Sequence, residues 1–271
     1  MKRLLFPTMA CCSLLVATPI QAQTTITAWT FDNLPVANNS SPAPSTGTGT
    51  AIALGMSNSY NNTTSTNNPD VQKLAGSSSS VLGAKNLAWR VRANGGNGWS
   101  SQAPIGTQGA QFTASTAGFD NIQISFDINE TAQGEAHLQL EYTIDGNNWF
   151  NAALSSAGSL GTLENNSISA NTVSGSYVTL GADWNNQITA NLSGISGVNN
   201  DPNFGIRIVN ASTGVDCVNS TNGPLNNTSG NWSIDNVLIS GTIESVPEPS
   251  ALALCGLGLA GIWKFRRNRK A

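Results

Sequence analysis

The 271-residue chain is poor in the residues from which reactive sites are usually assembled: it has four cysteines, one histidine and only 10% charged residues. Cys11 and Cys12 lie in an apolar stretch near the start and Cys255 in another near the end, which leaves Cys217 alone between them. No intrachain disulfide is therefore available to the central part. Its stability has to come from an apolar core, for which about 220 residues suffice. Unpaired cysteine is among the most buried residue types, so Cys217 is expected to be a free interior thiol, with an intermolecular cross-link as the alternative. The single His137 excludes a His-Glu-x-x-His zinc site, and one central cysteine excludes a cysteine-rich one. There is no Walker loop, no dinucleotide fingerprint and no Gly-x-Ser-x-Gly. A histidine-dependent hydrolase would need His137 to meet a serine and a carboxylate through the fold alone.

Positive charge is scarce where it would matter for nucleic acid. Seven of the 12 basic residues lie at the two ends: Lys2, Arg3, Lys264, Arg266, Arg267, Arg269 and Lys270. The part between keeps only Lys73, Lys85, Arg90, Arg92 and Arg207 against 14 acidic residues, a net charge of −9. Phosphate backbones demand a basic footprint, so nucleic acid is excluded as a partner, while cation binding is compatible.

Long apolar runs and a helical period are also missing from this body. Instead, Ile122, Ile124, Phe126 and Ile128 alternate with Asn121, Gln123, Ser125 and Asp127, and Leu138, Leu140, Tyr142 and Ile144 alternate with His137, Gln139, Glu141 and Thr143. A period of two predicts half-buried strands. Thr25 to Phe31, Leu87 to Arg92, Ala110 to Thr116, Ser176 to Leu180, Gln187 to Leu192, Phe204 to Val209 and Trp232 to Ile243 read the same way. Asp145-Gly146-Asn147-Asn148 is a hairpin turn returning through Trp149-Phe150, because Gly and Asn accept positive φ. Residues 37 to 50 and 57 to 69, rich in Asn, Ser, Thr, Gly and Pro, are expected as exposed loops or an embellished edge, with Ala51 to Met56 as their one apolar interruption. Many short strands with polar turns and no helices between them predict an all-β fold, an antiparallel β-sandwich.

The two ends are of another kind. Lys2 and Arg3 precede the apolar run Leu4 to Val16 and a small residue, Ala22, so residues 1–22 read as a signal peptide removed by signal peptidase. The apolar stretch ahead of Cys11 and Cys12 is too short for a lipobox. At the other end, Pro247 and Pro249 fix φ and start a helix near Pro249, with Glu248 at its positive end. The 16 residues from Ser250 to Phe265 rise about 24 Å, short of a hydrocarbon core of roughly 30 Å. Gly256, Gly258, Ala260, Gly261, the interfacial Trp263 and a snorkelling Lys264 fit a short anchor in a thin membrane. Lys264, Arg266, Arg267, Arg269 and Lys270 form a basic stop that holds the tail on the cytoplasmic side.

Val246-Pro247-Glu248-Pro249, the apolar helix and the basic tail together resemble the PEP-CTERM sorting signal of Gram-negative bacteria. The resemblance implies removal of the tail by an exosortase, a membrane-embedded cysteine protease, and a place at the cell surface or in an extracellular matrix rich in exopolysaccharide. It divides the chain into a signal peptide (1–22), an ectodomain (23–245) and a sorting signal (246–271). The body is similar to the jelly-roll, galactose-binding-like modules often found ahead of such signals. Thr27-Ala28-Trp29-Thr30-Phe31-Asp32, Tyr142 through Trp149, and Trp232-Ser233-Ile234-Asp235-Asn236-Val237 carry that likeness.

From this second resemblance, a structural calcium ion is implied near the ends of the first and last strands, where Asp32 and Asp235 stand. Trp99, beside a glycine-rich turn, and Trp149, at the hairpin, are the candidate sugar platforms, with ring packing as the other reading; Trp89 reads as core. Asp127, Glu130, Glu135 and Glu141 cluster in sequence as the one source of a glycosidase-like carboxylate pair, although alternation puts Asp127 and Glu141 on polar, solvated faces. His137 is likewise expected to be a solvated strand histidine. The expected function is that of an exported, non-enzymatic surface or matrix protein. A carbohydrate-binding module with calcium is the alternative and a secreted glycosidase the third reading.

Overall fold

The computed structural model describes residues 22–31, 41–56, 71–72, 88–92, 98–164, 176–226 and 230–244. The expected signal peptide up to residue 21, Asp32, the sorting motif Val246 to Pro249, the expected anchor at 250–265 and the expected basic stop lie outside the described residues. Among those described, no helix is long and apolar enough to cross a membrane.

Among the described residues fourteen strands form, interrupted by a single 3-10 turn at Gly214–Asp216. The first seven are β1 (Thr24–Trp29), β2 (Thr50–Leu54), β3 (Val71–Gln72), β4 (Ala88–Arg92), β5 (Gly109–Thr113), β6 (Phe119–Glu130) and β7 (His137–Thr143). The others are β8 (Phe150–Asn151), β9 (Leu154–Ala157), β10 (Thr162–Glu164), β11 (Tyr177–Thr179), β12 (Trp184–Asn191), β13 (Gly205–Asn210) and β14 (Asn231–Ile243). One sheet runs β3-β4-β14-β6-β12-β9 with β1 also beside β14; the other runs β10-β11-β7-β13-β5-β2 with β8 beside β7. Every pairing is antiparallel. From β5 to β7 and again from β12 to β14 each strand crosses to the opposite sheet, so these connections are not tight hairpins but passes over the ends of an antiparallel sandwich.

The alternating residues do what their period demands. Ile122, Ile124, Phe126, Ile128, Leu138 and Leu140 are all 2% exposed or less and fill the space between the sheets. Trp29, Trp89 and Phe112 meet edge to face, with ring centroids 5.0 and 5.9 Å apart, and Trp99 packs on Trp232 at 4.5 Å. Ile144 departs from the expectation: it lies past the end of β7 in the turn and is exposed. Ala51 to Leu54 belongs to an edge strand, the second of the two expectations for this region, since β2 closes the edge of its sheet against β5 and buries Ala51.

β14 is the axis of its sheet. β6 lies along one side, while β4, at Asn231–Ile234, and β1, at Val237–Gly241, share the other. Its early half is thus at the same end of the sandwich as Glu130 and Thr131. Its late half is at the end formed by Phe119, Asn200 and the start of β1.

Candidate functional site

Asp127, Glu130, Glu135 and Asp235 are buried rather than solvated. Asp127, on the outward side of β6, is 1% exposed, and its Oδ1 accepts from the Gln187 amide at 2.7 Å while Oδ2 accepts from Asn236 Nδ2 at 2.8 Å. Gln187 and Asn236 stand at φ +64° and +50°, one in each of the bulges that interrupt β12 and β14 opposite Asp127. Left-handed backbone at non-glycine residues is strained, and a buried carboxylate gripping both bulges offsets that cost. Asp127 is therefore a clamp on two neighbouring strands. Asp235, its cross-strand partner, is equally buried and accepts from the Asn236 amide at 2.7 Å. Asp32, its expected partner in holding calcium, lies outside the described residues. No group of three or more His, Cys, Asp or Glu placed to hold a metal occurs among the described residues.

At the Asn231 end the fold does bring His137 to a serine and a carboxylate. His137 Nδ1 lies 3.2 Å from Glu135 Oε1 and 3.4 Å from Ser212 Oγ. The Ser212 hydroxyl, however, lies 2.7 Å from that same Glu135 oxygen and donates to it, and the Cys217 thiol donates to Glu135 Oε2 at 2.5 Å. A nucleophilic triad needs the base between serine and acid, with one ring nitrogen for each. Here the carboxylate is the hub, the serine proton goes to it directly, and one ring nitrogen faces both partners. Burial, then the charge of Glu135 and its hydrogen bond, push the Cys217 thiol far above its ordinary value, so it stays protonated. The cluster ties β7 to the Ser212–Cys217 segment. It corrects the expectation of a solvated His137, which is mostly buried with its ring edge-on to Tyr177 at 5.7 Å.

Glu130 lies beside this hub, 2% exposed, on the inward face opposite Trp232. Burial raises it from 4.5 to about 7, Glu135 pushes the same way, and the Gly134 and Gln133 amides and the nearby Ser220 hydroxyl pull it back. Two buried carboxyl groups of unequal character are what a glycosidase uses, but such a pair must face a sugar. The neighbouring cavity of about 580 Å³ is lined by Trp99, Cys217, Val218 and Leu225 among others, and by neither glutamate. Trp99, expected as a sugar platform, is 1% exposed and packed at a tilt against Trp232, so it offers almost no surface to a sugar.

Trp149 is placed differently. The turn before it is built by Asp145, whose Oδ1 accepts from the Asn147 and Asn148 amides at 2.8 and 2.7 Å and whose Oδ2 accepts from Asn148 Nδ2 at 2.6 Å. These bonds hold the Asp145 carboxyl well below the usual carboxylate range. Gly146, at φ +75°, completes the reversal. The chain then sets Trp149 half-buried on the outer face of the β7 sheet, where the Arg207 guanidinium lies 3.7 Å from its ring centroid. Arg207 Nε donates to Gln111 Oε1 at 2.9 Å, Gln139 Nε2 donates to Glu141 Oε1 at 2.8 Å, and Glu141 stands directly opposite Arg207 across the β7–β13 pair. Burial raises Glu141 and lowers Arg207, and each counters the other's shift. A ring, a guanidinium, a carboxylate and two amides in one row can stack on an apolar ring face and bind its hydroxyls. Sequence reasoning singled out Trp149 from its turn but not Arg207, because no local pattern joins residues 58 positions apart.

Comparison with known proteins bears on the C-terminus. Residues 245–270 match the model of the PEP-CTERM protein-sorting motif. No curated protein matches the chain. The match begins at the residue after Glu244, whose amide donates to the Gly118 carbonyl at 2.9 Å as the last described hydrogen bond of the sandwich. The chain is thus an antiparallel β-sandwich body that runs directly into a PEP-CTERM sorting motif, the mark of an exported protein targeted by exosortase.

Proposed function

We propose that this protein is a non-catalytic surface or matrix component, exported through its signal peptide, relieved of its tail by exosortase and associated with exopolysaccharide outside a Gram-negative cell. The sorting motif at 245–270 carries the reading. Its support from the body is chemical: the one histidine and the one buried cysteine are both committed to the Glu135 hub. Mass spectrometry of exported protein should find a C-terminus near Pro247-Glu248-Pro249. Mature material that still ends at Ala271 would refute the reading.

The Trp149–Arg207 row favours one second reading, a carbohydrate-binding surface. Trp149→Ala should then weaken retention on the producing organism's polysaccharide by about tenfold, the worth of one aromatic contact, without lowering the unfolding midpoint by more than a few degrees. Unchanged retention would leave the ring as packing for Arg207. Trp99→Ala is not an equivalent test, because that ring is sealed in the core.

A further inference from the structure

The geometry points to a second role for the end of β14: residues Thr242–Glu244 are unzipped from β6 when the tail is removed, so the edge of the folded sheet is itself part of the processed substrate. This rests on the exosortase reading above. The spacing forces the question. Glu244 is still hydrogen-bonded to Gly118, and Pro247 follows three residues later, a reach of at most about 10 Å even when fully extended. Enzymes that take a peptide as an extended strand use its main-chain groups as well as its side chains. The residues just ahead of the Pro-Glu-Pro are those that the sheet still holds.

The structure makes this stretch the cheapest part of β14 to release. β1 ends its pairing at Thr24 opposite Gly241, so among the described residues Thr242 and Ile243 have β6 as their one neighbouring strand, opposite Asp120 and Phe119. A bulge between Ser240 and Thr242 already interrupts the ladder there. Ile243 is 57% exposed, so its release uncovers little apolar surface. Upstream the strand is locked. From Val237 to Gly241 it is paired on its β1 side, and Gly241 is packed so closely that a Cβ would lie 2.9 Å from the Asp120 carbonyl oxygen and 3.0 Å from Ile122. Opening that starts at Glu244 therefore stops at Gly241, freeing three residues without dismantling the sandwich.

The test is a covalent lock in the full chain. Phe119 and Ile243 face each other across the pair, so F119C/I243C places a disulfide over the segment that has to open, and the protonated, buried Cys217 does not compete for it. The oxidised double variant should accumulate in the membrane fraction with its tail intact, while the same double variant kept reduced should lose it. Ten Gly-Ser residues inserted after Glu244 should restore processing of the locked protein, because the motif then reaches the protease without help from the sheet. A locked protein processed at the wild-type rate overturns the inference, and so does a block that the insertion leaves in place. An unprocessed wild type would instead refute the exosortase reading itself.

Discussion

Replacing Trp232 by alanine should cost about 3–5 kcal/mol, the range for truncating a fully buried large aromatic, out of a typical total of about 5–15. The ring is fully buried, packs on Trp99 at 4.5 Å, and donates from Nε1 to the Glu135 carbonyl at 2.7 Å. The variant therefore leaves a cavity, strips Trp99 of its partner and orphans a buried carbonyl next to the hub that holds Ser212 and Cys217. Trp232→Phe keeps a six-membered ring against Trp99 but loses the N–H and part of the indole's volume, so it should cost about 1–3 kcal/mol. Denaturant unfolding of the exported protein measures both. A loss under about 1 kcal/mol for the alanine variant would mean that the two tryptophans do not close this end of the sandwich.

Stability should also fall as pH rises from 5 to 8, and Glu130→Gln should abolish much of that fall. A carboxyl raised from 4.5 to about 7 in the folded state holds its proton where the unfolded chain has released it. The folded form then binds more protons throughout that window, so its advantage is complete below 4.5 and gone above about 7. A displacement of that size is worth roughly 3 kcal/mol at 1.36 per unit. Glutamine keeps an oxygen for the Gly134 amide, which Glu130 Oε1 accepts at 2.8 Å, and carries no charge to bury. Glu141 and Asp201 are raised by burial too, so the wild type retains slope from them, and the variant-minus-wild-type difference isolates Glu130. Thermal melts at pH 5 and pH 8 decide the point: an equal gap between variant and wild type at both values would place the Glu130 carboxyl back in the ordinary range.

The strands were legible because alternation is a local signal. β6 and β7 follow from their own residues, and so does the turn at Asp145, whose side chain builds it. β2 was legible only as one of two readings because Thr50–Leu54 is short, alanine-rich and set among Ser, Thr and Gly, so its place at the sheet edge comes from β5 rather than from its own pattern. The larger misreading concerned polarity. Period two tells which residues face the core, but not whether the opposite face meets water. Asp127 points outward and is nonetheless sealed, and Gln139 and Val209 on the outer side of the β7 sheet are 3% and 0% exposed. Nor does proximity to a glycine-rich turn tell a platform from a plug. Trp99 fell into the core because Trp232, 133 residues later, supplies its other half.

Because β14 is the last strand to be synthesised and the middle one of its sheet, the order of export constrains the order of folding. Until β14 is available, β6 and the β1–β4 side have nothing between them to pair with, and the two halves of that sheet cannot join. Contacts of such long sequence separation form slowly. On the proposed export route the polypeptide therefore stays open and threadable until β14 has emerged.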